Sequence, residues 1–101
     1  MKFSIAERVG LLGVLPPEGD IVTLRIVRDL KRELSFSEEE ISEAGIVNAD
    51  GWILWNPAVQ IEKEIEIGPA ALTVIRDALK KLNERKKLTE ATMGLYERFI
   101  E

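Results

Sequence analysis

From Ala58 to Gly68 apolar and polar residues alternate. Val59, Ile61, Ile65 and Ile67 interleave with Gln60, Glu62, Glu64 and Glu66, and only Lys63 breaks the apolar register. A helix would scatter these side chains around its axis, whereas a strand sorts them onto two faces. The stretch therefore predicts a strand with one face on a core and one solvated, carboxylate-lined face. Just upstream, Ile46-Val47 and Trp52–Trp55 flank Asn48-Ala49-Asp50-Gly51, whose residues suit a type I turn, so a hairpin is expected there. Asn56-Pro57 then turns the chain into the long strand, giving a three-stranded antiparallel meander. Within the hairpin Trp52 and Leu54 face one way and Ile53 and Trp55 the other, which leaves one tryptophan partly exposed if helices cover a single face.

Helical patterns lie on both sides of this region. Ser4 and Glu7 form a capping box for a helix running to about Leu15, where Pro16-Pro17 stops it. Gly10 and Gly13 inside that helix are expected to let another helix approach closely. Asp20 caps a second helix, Ile21–Leu34, with Thr23, Val27, Leu30 and Leu34 on its apolar row. Phe36-Ser37-Glu38-Glu39-Glu40-Ile41 carries a second capping box, Ser37 with Glu40, for a short helix ending near Ala44 with Gly45 beyond it. Pro69 opens a fourth helix with a seam of Leu72, Ile75, Leu79 and Leu82, and Thr89 caps a fifth through Ile100, with Ala91, Leu95 and Phe99 in a row.

The reading is a single α+β domain over residues 1–101: three N-terminal helices in winged-helix-like order, a central three-stranded meander and a C-terminal helical hairpin. That hairpin has apolar rows wide enough for both a core and a neighbouring copy, so a homo-oligomer is expected.

Composition narrows the chemistry. The chain has neither cysteine nor histidine, which removes disulfides, thiolate catalysis, Ser-His and Cys-His nucleophiles and nearly all zinc sites. No apolar run approaches the ~20 residues of a membrane span, and no signal-peptide pattern opens the chain, so a cytoplasmic protein without membrane contact is expected. Charge is uneven. Met1–Phe36 is +1, Ser37–Ile67 carries one basic and eight acidic residues for −7, and Gly68–Glu101 is +2. An anionic centre disfavours nucleic-acid binding. In a winged-helix protein the third helix would enter the DNA groove, and here it would meet phosphates with four carboxylates. DNA binding is therefore not expected.

The candidate binding residues are few. Arg25, Arg28 and Arg32 form a cationic stripe opposite the apolar row of the second helix, and forked guanidinium donors suit phosphate or carboxylate. Trp52 and Trp55 offer stacking surfaces, and Tyr96 a hydroxyl for a partner. Glu62, Glu64 and Glu66 share a strand face, but spread over ~13 Å they cannot converge on one metal ion. Neither a catalytic set nor a cofactor or metal site is expected.

The stretches IAERVGLLGVLPPEGDIVTLRIVRDLKRELSFSEEEI, EIEIG and KKLTEATMGLYERFI resemble small proteins encoded by tailed bacteriophages and prophages, mostly without an assigned activity. The resemblance covers nearly the whole chain and carries over no catalytic residues. It implies a protein of the infected bacterium's cytoplasm that acts by binding. The first expectation is a non-enzymatic anti-defence sponge that sequesters an anionic cyclic nucleotide between the arginine stripe and the tryptophans. The alternatives are a protein-blocking module docking its acidic centre on a basic host surface, or a phage structural or accessory component.

Overall fold

Five helices and four short strands follow one another as β1 (Lys2–Ser4), α1 (Ile5–Val14), α2 (Ile21–Leu34), α3 (Glu38–Ala44), β2 (Val47–Ala49), β3 (Trp52–Leu54), β4 (Glu62–Glu64), α4 (Pro69–Glu84) and α5 (Glu90–Phe99) in the computed structural model, which describes residues 1–101. The helix ends lie where the side chains can satisfy them. Ser4, Asp20, Ser37 and Thr89 each accept from a backbone N–H in the first turn of the helix that follows. At the end of α4, Lys87 N–H donates to Leu82 C=O at 2.9 Å and Lys86 N–H to Asn83 C=O at 3.0 Å. These two bonds make a Schellman motif, with Lys86 at φ 57° in the left-handed position usually held by glycine.

Helices α1, α2, α4 and α5 pack around one core built from Leu11, Leu34, Ile75, Leu79, Leu95 and their neighbours. Phe3 of β1 and Phe99 of α5 stack within it, ring centroids 6.1 Å apart. Each such fully buried side chain contributes about 1.5–3 kcal/mol relative to exposure. Gly10 does mark a close approach: a Cβ built there would lie 3.0 Å from Leu95 Cδ1, whereas at Gly13 nothing lies within 4 Å.

The sheet differs from expectation. There is no three-stranded meander: β2 pairs with β3, and β4 pairs with β1, as two separate antiparallel sheets. The cause lies at Asn56-Pro57-Ala58. Asn56 C=O and Oδ1 capture the N–H groups of Val59 and Ala58, at 3.1 and 3.0 Å, and Pro57 has no N–H, so three successive residues offer no donor to the hairpin. The strand after this turn pairs instead with the N-terminal residues, in the register Lys2↔Glu64, Phe3↔Lys63, Ser4↔Glu62. Only three residues of the Ala58–Gly68 stretch are regular strand, but the sidedness read from the alternation holds: Ile65 is buried, Val59, Ile61 and Ile67 are half-buried, and Gln60, Glu62, Glu64 and Glu66 are exposed. Lys63, in the apolar register, carries its ammonium to the Glu33 carbonyl at the end of α2, 3.0 Å away, where positive charge meets the negative end of the helix dipole.

The hairpin turn is also tighter than expected. It is a two-residue connection, Asp50-Gly51, with φ of 52° and 83°, as a type I′ turn requires, rather than a type I turn over Asn48–Gly51. Its twist matches that of the flanking strands, which a type I turn would splay.

Candidate functional site

Helix α3 and the β2–β3 hairpin form a lobe beside the four-helix core, and one side chain pins it there. Arg8 lies on the buried side of α1 and is 0% exposed. Its Nε donates to Leu34 C=O at 3.2 Å, and its Nη2 donates to Ser35 C=O, so the guanidinium caps the open carbonyls at the end of α2. Its Nη1 and Nη2 also form a fork on the Glu40 carboxylate, at 2.5 and 3.2 Å. The Phe36 ring covers the guanidinium from 4.2 Å. Hydrogen bonding to Arg8, reinforced by the Ser37 N–H, holds the Glu40 carboxyl at about 2 despite its partial burial. One residue thus joins the end of α2, the Ser35-Phe36 connection and the start of α3. The sequence signal for it was a charge at position 8, between Ile5 and Leu11 on the apolar side of a helix, which demands a buried partner.

On this support stands the hairpin. Its register pairs Val47 with Leu54 and Ala49 with Trp52, so these four side chains share one face, and Asn48 and Ile53 share the other. The first face is apolar and uncovered: Trp52 is 74% exposed, Val47 53% and Leu54 52%. Ile53 and Trp55, on the opposite side as the alternation predicted, are half-buried. Four adjoining apolar side chains thus lie together in water on one hairpin face.

No family model, curated protein or solved structure matches this chain.

The charge carried by the lobe is of one sign. From Glu33 to Glu62 the sequence contains no lysine or arginine. Glu38, Glu39, Glu43 and Asp50 are exposed and lie in no ion pair, while Glu40 is matched by Arg8. The lobe therefore combines an uncovered apolar hairpin face with exposed carboxylates that lie in no ion pair.

The other residues singled out from the sequence lie elsewhere. Arg25, Arg28 and Arg32 are exposed on the outer side of α2; Arg28 and Arg32 stand 3.9 and 3.8 Å from Asp29. None of the three lines a cavity, alone or with a tryptophan. Tyr96 is half-buried and packs against the core from α5. Trp55, together with Pro57, lines two adjoining grooves below the hairpin. The C-terminal helical hairpin directs Ile75, Leu79, Leu95 and Phe99 into the chain's own core, so the rows expected to serve a neighbour are largely occupied within the chain. No helix is long and apolar enough to cross a membrane.

Proposed function

We propose that this chain is a non-enzymatic binding protein that acts by docking the apolar face of its β2–β3 hairpin on another protein. The observation that carries this reading is the cross-strand patch Val47/Ala49/Trp52/Leu54, held out from the core on a lobe locked by Arg8 and Glu40. Burying an exposed tryptophan and its aliphatic neighbours supplies affinity, and the exposed carboxylates of the lobe steer a partner whose surface is basic. Of the two binding modes the sequence raised, blocking a protein fits this arrangement better than sequestering a nucleotide. A phosphate ligand needs convergent cations, and the arginine stripe is solvated and lines no concavity. In keeping with the resemblance to phage-encoded proteins, the partner we propose is a protein of a bacterial host cytoplasm.

The test is retention from a bacterial lysate by the immobilised full chain, compared with its Trp52→Ser/Leu54→Ser variant. A partner held at low salt, released at high salt and missed by the variant is the expected result. Equal retention by both proteins refutes the hairpin as the docking element. A calorimetric titration with a panel of cyclic nucleotides is expected to give no heat, and a saturable signal there would restore the sequestration reading.

A further inference from the structure

The apolar surface does not end at the hairpin. Past Leu54 a shallow groove of about 290 Å³ runs along Ile53, Trp55 and Pro57. Trp55 and Pro57 then form the common wall of a second recess of about 360 Å³, floored by Ile5, Val59 and Ile61. Both are shallow and open to solvent, as a surface that takes an extended segment would be. The polar margin of the second recess is Ser4, Gln60 and Glu62, and no lysine or arginine lines either compartment. The Ser4 hydroxyl is already engaged with Glu7 N–H at 3.2 Å, which leaves the exposed Gln60 and Glu62 to face a ligand.

We propose that this track seats an extended, basic peptide segment of the partner, with one apolar side chain against Trp55, Val59 and Ile61 and a neighbouring lysine or arginine beside Glu62. The inference rests on the protein-docking reading and deepens it by naming the chemistry of the partner. Three observations select this occupant. The track lies on the Ile53/Trp55 side of the hairpin, opposite Trp52, and meets the exposed face only at the Leu54 edge, so it is a second surface at which a segment of the partner can lie. Two polar side chains are too few to orient a polar metabolite, whereas an extended peptide brings apolar side chains at every second residue. Glu62 at the recess and the exposed Glu38, Glu39, Glu43 and Asp50 of the lobe stand in no ion pair, so they attract a basic segment and repel a second copy of this equally anionic chain region.

The experiment uses the full chain carrying Trp52→Phe, which leaves Trp55 as its one indole. It is titrated with a synthetic peptide alternating leucine and lysine, and separately with one alternating leucine and glutamate. The leucine–lysine peptide is expected to shift Trp55 emission to the blue in a saturable way, with affinity falling about tenfold or more between about 50 and 500 mM salt. The leucine–glutamate peptide is expected to have no effect. Val59→Lys, which places a cation in the recess, abolishes the shift. Gln60→Lys, on the exposed margin where folding is not at stake, weakens binding several-fold. No change in Trp55 emission, an equal response to both peptides, or an unaltered response in Gln60→Lys overturns the proposal. So does a shift that follows protein concentration without peptide, which marks a second copy, or saturation by decanoate alone, which marks a small apolar ligand. If the titration fails while lysate retention still depends on Trp52 and Leu54, the groove falls and the hairpin reading stands. The reverse pattern removes the hairpin and keeps the groove.

Discussion

Replacing Arg8 by methionine keeps most of the side-chain volume in α1 and removes the guanidinium. Glu40 then loses its fork, and the carbonyls of Leu34 and Ser35 lose their donors in a place where water enters poorly. Breaking a buried pair by deleting one partner costs about 3–5 kcal/mol, a large part of the ~5–15 kcal/mol that stabilises a typical domain. Glu40→Gln is milder, since an amide still accepts from Arg8. The charge-dependent share follows from the carboxyl being held at about 2 instead of its ordinary 4.5. Fully converted, that is about 3 kcal/mol; solvent reaching the edge of the carboxylate reduces it to about 2. The sign is fixed by the depression. The contribution is present above pH 4.5 and is lost as pH falls toward 2. Urea unfolding followed by circular dichroism from pH 7 to 2.5 should therefore show Glu40→Gln less stable by about 2 kcal/mol at pH 7, with a shallower acid limb than the parent. Hydrogen exchange on Arg8→Met should rise first in residues 37–57, the lobe that Arg8 pins, before it rises in α4 and α5. An acid limb identical in Glu40→Gln and the parent, or exchange that rises evenly over the chain, would refute the pin.

Three further outcomes follow from single positions. Gly13→Ala should stabilise the chain by about 0.5–1 kcal/mol, because a Cβ there meets nothing and a helix interior favours alanine; Gly10→Ala should show no such gain, since its Cβ presses on Leu95, and thermal melts of the two variants compare them directly. Lys86→Gly, which relieves a left-handed lysine at the end of α4, should raise stability by about 0.5–1 kcal/mol, read as a higher urea midpoint with an unchanged slope. Trp52→Ser/Leu54→Ser should leave the urea midpoint within the equivalent of about 0.5 kcal/mol of the parent, because both side chains are already in water; a large loss would make the hairpin face part of the fold rather than a contact surface.

What could be read from the sequence follows from how local each signal is. The helix starts at Ser4, Asp20, Ser37 and Thr89 were legible because a cap and the N–H it satisfies lie three residues apart. That Trp52 and Trp55 face opposite ways was legible because alternation alone assigns faces; which of the two is uncovered was not, because the covering elements come from elsewhere in the chain. The partner of Glu62–Glu64 was not, because it is the strand Lys2–Ser4 at the other side of α1, too short to show a period of its own. The same holds for Arg8, whose acceptors on Leu34, Ser35 and Glu40 are brought to it only by the turn between α1 and α2 and the docking of α3. Glu40 showed its capping role, which is local, and concealed its ion pair, which is not. The arginine stripe of α2 was correctly placed on an outer face, but spacing along one helix says nothing about whether a second element closes over it.

The pairing of β1 with β4, and of α1 with α5, also governs when this molecule can become itself during synthesis. Arg98 near the end of α5 reaches back to the Glu7 carboxylate and to the Lys2 carbonyl, 91 and 96 residues away along the chain, so β1 and α1 find their neighbours only after α5 has been made. Contacts between residues so far apart along the chain form only after long loops have closed, which slows folding and discourages piecewise folding. Until α5 packs, Phe3 and Leu11 lack the cover that Leu95 and Phe99 give them in the core, and such exposed apolar surface is prone to aggregate.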